Sequence, residues 1–200
     1  MSSEPVLIDG SWTASAGETT FQAVNPATRE PLPACYPVSP KEEIERAITA
    51  SAAAARTVRG WPGERFAAFL EAYADGIETR VDELVAMANT ETALPASPRL
   101  QDVELPRTTN QLRLAAAAAR DGSWAMPTID SATNIRAMYG QIGPVSVFGP
   151  NNFPFAFNSI AGGDFAAAIA AGNPVIGKGH SSHPGTTKIL AEEAAMAATK

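Results

Sequence analysis

Two short runs hold the side chains of this chain that suit chemistry. Asn151-Asn152-Phe153-Pro154 follows an apolar stretch, Ile142–Phe148. An Asn amide held at a strand end can donate a hydrogen bond to a developing oxyanion. The same residues also suit a plain turn, which Asn and Pro favour wherever they meet. Lys178 closes a second apolar run that starts at Pro174. An ammonium there can reach the ribose hydroxyls or phosphates of a nucleotide, or it can mark where a strand leaves the core. Gly179-His180-Ser181-Ser182-His183-Pro184-Gly185 comes next, ahead of a helical pattern. Free N–H groups and hydroxyls at such a helix start suit phosphate.

Other polar residues point to less. His180 and His183 are the two histidines of the chain, and zinc needs three or four ligands, so no metal site is expected. Cys35 is the single cysteine and lies in a Pro-rich stretch with no His nearby; it reads as a loop thiol, not a nucleophile. Asp164 in Gly162-Gly163-Asp164 reads as a helix N-terminal acid. A G-x-G-x-x-G fingerprint is absent.

Positioning the Asn pair and Lys178 takes a strand over Ile142–Phe148, a helix over Ser159–Ala171 and a buried strand over Pro174–Lys178. Two parallel strands joined by a helix bind ligands at their carboxyl ends, where both polar groups fall. A last helix from Gly185 turns Ile189, Leu190, Ala194 and Ala197 inward. Upstream, Val6–Ile8 and Ser11–Thr13 flank Asp9-Gly10 as a hairpin. Thr19–Val24 continues in extended form, and Asn25-Pro26 turns it. A helix begins with Ser39 as N-cap, Pro40 at its first position and Glu42 closing a capping box. Ile44, Ala47, Ile48, Ala52, Ala55 and Val58 form its inward face. Further helices bury Phe66, Phe69, Leu70, Tyr73 and Ile77, then Val81, Leu84, Val85 and Ala88. After a linker over Ala93–Pro98, a helix runs through Leu112 to Ala119 and stops at Gly122. Trp124–Tyr139 reads as an extended connection between layers.

Composition narrows the function classes. The chain has 200 residues, 45% of them apolar, enough for one ordinary core. A net charge of −6 with no basic stripe argues against nucleic acid. No unbroken apolar run approaches a membrane span, the first residues lack a secretory pattern, and one cysteine fits a reducing compartment. A cytoplasmic protein is expected. Two parallel strands leave unpaired edges, and the last helix reaches Lys200 without a C-cap signal. The first part of a longer enzyme is therefore expected.

Taken together these residues resemble the aldehyde dehydrogenase superfamily. Its P-W-N-F-P motif is echoed by Pro150-Asn151-Asn152-Phe153-Pro154, and its A-L-A-x-G-N-x-V-V-x-K-P-A-E stretch by Ala168 to Ser181. Asn25-Pro26-Ala27-Thr28 and Glu91-Thr92-Ala93-Leu94-Pro95 have counterparts too. Phe148 to Phe157, Gly162-Gly163-Asp164, Lys178 to Thr186 and Arg107 to Arg113 resemble the branch that oxidises 2-oxoglutarate semialdehyde and some fatty aldehydes.

The resemblance implies an α/β fold. Residues 140–200 are the first βαβα of a Rossmann-like parallel-sheet cofactor domain, its sheet incomplete. A β arm over 1–38 precedes it, then a helical part and connection over 39–139. Asn152 is implied as the side-chain donor of an oxyanion hole and Lys178 as a ribose ligand. Phe148, Gly149, Pro150, Asn151, His180 and Ser181 complete the implied cofactor contacts. The family's usual Trp is Asn151 here and its usual ribose-gripping Glu is Ser181. A carboxylate at that place repels a 2′-phosphate and a hydroxyl donates to it, so NADP is expected ahead of NAD. The family's Cys nucleophile and Glu base have no match among these residues, so the chain by itself is expected to be inactive. The implied reaction is NAD(P)-dependent oxidation of an aldehyde, a semialdehyde in this branch, by a homodimer or homotetramer joined through a strand arm. A CoA-dependent acylating relative and a non-catalytic binding or assembly module remain alternatives at this stage.

Overall fold

The computed structural model describes residues 3–199. β1 (Val6–Ile8) and β2 (Ser11–Thr13) pair antiparallel around Asp9-Gly10, as the dipeptide suggested. Both turn residues have positive φ, 53° and 70°, the pair that a type I′ turn requires. β3 (Thr20–Val24) pairs antiparallel with β4 (Pro31–Pro37), which places Cys35 opposite Gln22 in a strand. The loop expected around Cys35 is therefore corrected. Its prolines hid the strand, and they are tolerated because β4 pairs with one neighbour, so a missing N–H can face away from the ladder.

α1 (Lys41–Val58) departs from its expected start and its expected face. Pro40 is the N-cap and no side chain caps the helix, so the Ser39–Glu42 box does not form. Glu43 is the buried acid instead, accepting from Ser15 Oγ at 2.8 Å and Ala16 N at 2.6 Å. Ile44 and Ile48, expected inward, are 52% and 51% exposed. The helix turns Glu43 and Ser51 toward the molecule, so the segment before β3 decides its rotation rather than its aliphatic stripe.

The core is helical. α2 (Gly63–Thr79) sets Leu70, Tyr73, Ala74 and Ile77 against Leu112, Ala116 and Ala119 of α4 (Leu105–Asp121). Between them run α3 (Val81–Thr92) and a segment, Ala96–Glu104, that is helical after an extended Ser97 (φ −120°, ψ 142°). Gly122, at φ 72°, ends α4 where expected. The residues from Trp124 to Tyr139 form a short exposed hairpin, β5 (Thr128–Asp130) with β6 (Ile135–Ala137), where a plain connection was expected. Asp130 makes the turn by accepting from Ala132 N and from Thr133 N and Oγ1, a local bond that Asp offers readily.

β7 (Val145–Phe148) and β8 (Val175–Lys178) are parallel and joined through α5 (Gly163–Ala170), which packs on both strands. The mixed α/β fold is as expected, with shorter elements. β7 starts at Val145, not Ile142, because Pro144 has no N–H and the amides of Ile142 and Gly143 donate to Asn173 Oδ1. α5 starts at Gly163, not Ser159, because Asn158 Oδ1 takes the Ile160 N–H in a turn of its own. The strands are also less buried than their sequences suggested: Val147 is 4% exposed but Phe148 is 70%. α6 (Pro184–Ala197) packs on α2 and α3 through Ile189, Leu190 and Ala197, as its pattern required. Tyr73, fully buried, ties the helices to the strand unit by donating its hydroxyl to the Ile160 carbonyl at 3.1 Å.

Candidate active site

The register places Phe148 opposite Lys178, so both strands end at one level. The Gly149–Phe157 loop and the Gly179–His183 loop therefore leave the sheet side by side. His183 joins them. It is 1% exposed, and its Nε2 lies 2.9 Å from the carbonyl oxygen of Pro150. A carbonyl only accepts, so that nitrogen carries the proton in this pairing. Gly149 is required where the first loop folds back: a Cβ there would meet the Phe157 carbonyl at 2.7 Å and the Ser159 nitrogen at 2.9 Å.

Glu104 holds the next part of the loop. Its side chain has no exposure, and one oxygen accepts from Phe155 N at 2.8 Å and Ala156 N at 3.0 Å. The other oxygen pairs with Arg99, whose second guanidinium nitrogen donates to the Asn152 carbonyl at 3.1 Å. Buried Asn158 closes the loop, donating to Pro154 O and to Thr187 Oγ1. The backbone around Asn152 is thus held at Pro150, at Asn152 itself and at Phe155–Ala156, while the Asn151 and Asn152 residues are exposed. An exposed amide on a fixed backbone is the arrangement that electrostatic preorganisation calls for.

On the second loop, Lys178 and Ser181 are exposed and His180 is half-buried. The His180 ring stacks on His183 with centroids 5.1 Å apart and planes 17° off parallel. Burial, then His183 and Lys178, lowers the His180 pKa, which favours a neutral ring beside the lysine. The anion site expected at the start of the following helix is corrected. Glu91 fills it, accepting from Gly185 N at 2.7 Å and from Thr186 N and Oγ1 at 2.8 Å each. Burial of Glu91 raises its own pKa against those three donors. A phosphate has no free amides at Gly185 and Thr186, and the exposed polar side chains of this loop region are Lys178 and Ser181.

The structure brings Phe148, Gly149, Pro150, Asn151 and Asn152 together with Lys178, His180 and Ser181 at one end of the strand pair. It leaves Cys35 in β4 as a free thiol. A cavity of about 340 Å³ lined by Tyr36, Met87 and Glu91 among others touches neither loop residue Asn152 nor Lys178. Among the described residues no group of three or more His, Cys, Asp or Glu is arranged to hold a metal ion. Sequence reasoning did not single out Glu104, Arg99 or His183 as supports. His183 had a signal in the K-x-H-x-x-H-P-G-T run; Glu104 had none, since its amide partners lie 51 and 52 positions away.

A parallel strand pair with an Asn loop at one carboxyl end and a Lys at the other has its polar groups where open α/β sheets take ligands. Residues 12–199 match the aldehyde dehydrogenase family, and the chain belongs to that family. It is 39% identical to alpha-ketoglutaric semialdehyde dehydrogenase 2 of Azospirillum brasilense over 97% of this chain and 38% of that protein. It is 35% identical to the alpha-ketoglutaric semialdehyde dehydrogenase of Acinetobacter baylyi over 89% of this chain and 35% of that protein. The fold superposes on succinate-semialdehyde dehydrogenase from Burkholderia pseudomallei with a TM-score of 0.83 at 26% identity, covering 97% of this chain and 39% of that one. An aldehyde dehydrogenase C mutant from Pseudomonas syringae, solved with NAD+ and octanal, shares the fold at TM-score 0.83 and 22% identity over 98% of this chain and 39% of that one. The chain therefore spans under two-fifths of the length of these two alpha-ketoglutaric semialdehyde dehydrogenases.

Proposed function

We propose that these residues supply the cofactor seat and one oxyanion donor of an NAD(P)-dependent enzyme that oxidises a semialdehyde, such as 2-oxoglutarate semialdehyde, to its carboxylic acid. The observation behind this reading is the Asn152 loop, fixed by Arg99, Glu104 and His183 while Asn152 itself is exposed. Family membership and the semialdehyde dehydrogenases among the relatives support the substrate class.

The site's donor set fits a dinucleotide. Lys178 offers an ammonium and Ser181 a hydroxyl at the strand ends, and neither bears a carboxylate that would repel phosphate. Phe148, Gly149, Pro150, Asn151 and His180 line the same edge. The bound nicotinamide supplies a hydride acceptor. Before hydride leaves, Asn152 would donate an amide N–H to the aldehyde oxygen while a nucleophile adds to the carbonyl carbon and that oxygen gains charge, on a backbone that needs no rearrangement. A covalent route also needs a thiol beside that donor, and Cys35 is engaged in β4 instead. The 200 residues by themselves should not turn over aldehyde. Assembly of the whole enzyme as a homodimer or homotetramer is supported by the exposed β5–β6 hairpin, where Ile129 and Ile135 are 70% and 60% exposed.

The test uses the product of the complete reading frame. Asn152→Ala should lower kcat by about 10²–10³-fold, the cost of losing one oxyanion donor, with dinucleotide affinity retained. Ser181→Glu should cut NADP affinity and spare NAD. A fully active Asn152→Ala enzyme sinks the oxyanion role; unchanged NADP affinity in Ser181→Glu sinks the NADP preference.

A further inference from the structure

The Phe153 ring, next in the chain to Asn152, has two guanidiniums near it. Arg99 stands 4.5 Å from its centroid and Arg107 5.9 Å. Arg107 also lies 5.0 Å from the centroid of Phe157, which meets Phe153 edge to face at 5.0 Å and 82°. The two cations have different fates. Arg99 spends its charge on buried Glu104 and the Asn152 carbonyl. Arg107, exposed in the first turn of α4, enters no salt bridge among the described residues, a state it shares with six other arginines, but of those seven it alone stands against the Phe153–Phe157 pair beside Asn152.

We infer that Arg107 reads the distal carboxylate of the substrate, so that the enzyme selects aldehydes ending in a carboxylate over plain alkanals of the same length. This rests on the aldehyde-oxidising reading above and names a residue for its substrate class. The chemistry follows from the parts. A planar guanidinium presents two parallel N–H donors that match a carboxylate fork. Phe153 and Phe157 hold that plane by cation–π contact and offer an apolar wall to the methylenes between the two ends of the substrate. Phe157 is 37% exposed, so the wall is open to a ligand. Phe153 follows Asn152 directly in the chain, so the ring that Arg107 faces is attached to the residue proposed to meet the aldehyde.

The experiment compares glutaric semialdehyde with pentanal, which share a carbon chain and differ in the terminal carboxylate. The complete enzyme is assayed as wild type, Arg107→Gln and Arg107→Lys. In Arg107→Gln, kcat/KM for glutaric semialdehyde should fall by about 5-fold, mostly through KM, the loss expected when one partner of a solvent-exposed charge pair is removed. Pentanal turnover should stay unchanged, and Arg107→Lys should restore part of the loss. Equal losses on both aldehydes would mark a structural role, and no loss on either would mark a bystander; each outcome overturns the inference alone. Wild-type enzyme that oxidises neither aldehyde overturns the aldehyde-oxidising reading and the inference with it.

Discussion

Glu104 is the residue on which the Asn152 loop depends most. Its carboxylate is fully buried, and two backbone amides and a guanidinium converge on it. Glu104→Gln keeps shape and removes charge. The Phe155 and Ala156 amides then compete for one neutral oxygen, and Arg99 loses its ion pair. Hydrogen bonds to charged groups contribute about 1.5–3 kcal/mol each, so unfolding free energy should fall by about that much in urea titration. A change within about 0.5 kcal/mol, the range of ordinary surface substitutions, would show that the loop has other support. At this scale the sequence revealed the groups proposed to face a ligand and hid those that hold them. Asn152 and Lys178 stand out because each ends an apolar run. Glu104 looks like any helix acid, since nothing local distinguishes it from exposed Asp102 two positions earlier. Only the fold brings a carboxylate to amides 51 positions away.

Among the elements, α6 shows how one side chain can decide what a helix end is for. Its first turn presents Gly185 and Thr186 amides, which sequence reasoning gave to a phosphate, and Glu91 from α3 takes both. The carboxylate does the work of a cap from a different helix, satisfying donors and meeting the positive end of the helix dipole. It also pins α3 to α6. Glu91→Ala removes both effects and leaves buried N–H groups bare, at about 1–3 kcal/mol for an unsatisfied buried group. The thermal midpoint should drop, and hydrogen exchange should quicken first at Gly185 and Thr186. Unchanged exchange at those amides would show that water or another group replaces the cap. Where local chemistry sufficed, elements were legible: Asp9-Gly10 made its hairpin and Gly122 ended α4. Where a neighbour decided, they were not. α1 was read by its aliphatic stripe, and its buried face centres instead on Glu43 and Ser51, keeping Ala47, Ala52, Ala55 and Val58 partly buried but leaving Ile44 and Ile48 outside; β4 was masked by prolines that an edge strand accepts.

The molecule as a whole is held by helices clamped with arginines, and this sets its response to acid. Arg80, between α2 and α3, reaches Glu83, Glu192 and Glu193 and so bridges to α6. Arg113 and Arg120 of α4 bridge back to Asp75, Glu78, Glu64 and Glu71 of α2. The Arg80 hydrogen bond holds Glu83 below its ordinary pKa of 4.5. Burial raises Glu192, but Lys188 and Arg80 outweigh it and the net shift is downward. A carboxyl whose pKa is depressed by folding adds stability that is fully present above its unfolded value. That stability is lost as pH falls through the folded value, so the loss begins near pH 4.5 and deepens below it. The clamps differ in exposure. Arg120 is 41% exposed with partners at 62% and 43%, whereas Arg80 is 22% exposed and touches Glu193 at 5%. Solvent screens the first kind of pair and leaves it worth little; the second keeps more of its attraction. Arg80→Gln should therefore lower stability at pH 7 and flatten the acid limb of the stability–pH curve, while Arg120→Gln changes both much less. Added salt should weaken the Arg120 contribution in proportion more than that of Arg80. Urea midpoints between pH 7 and pH 3 at low and high salt measure this directly. Equal effects of the two substitutions would mean that the arginine clamps act through packing alone and that burial does not set their electrostatic value.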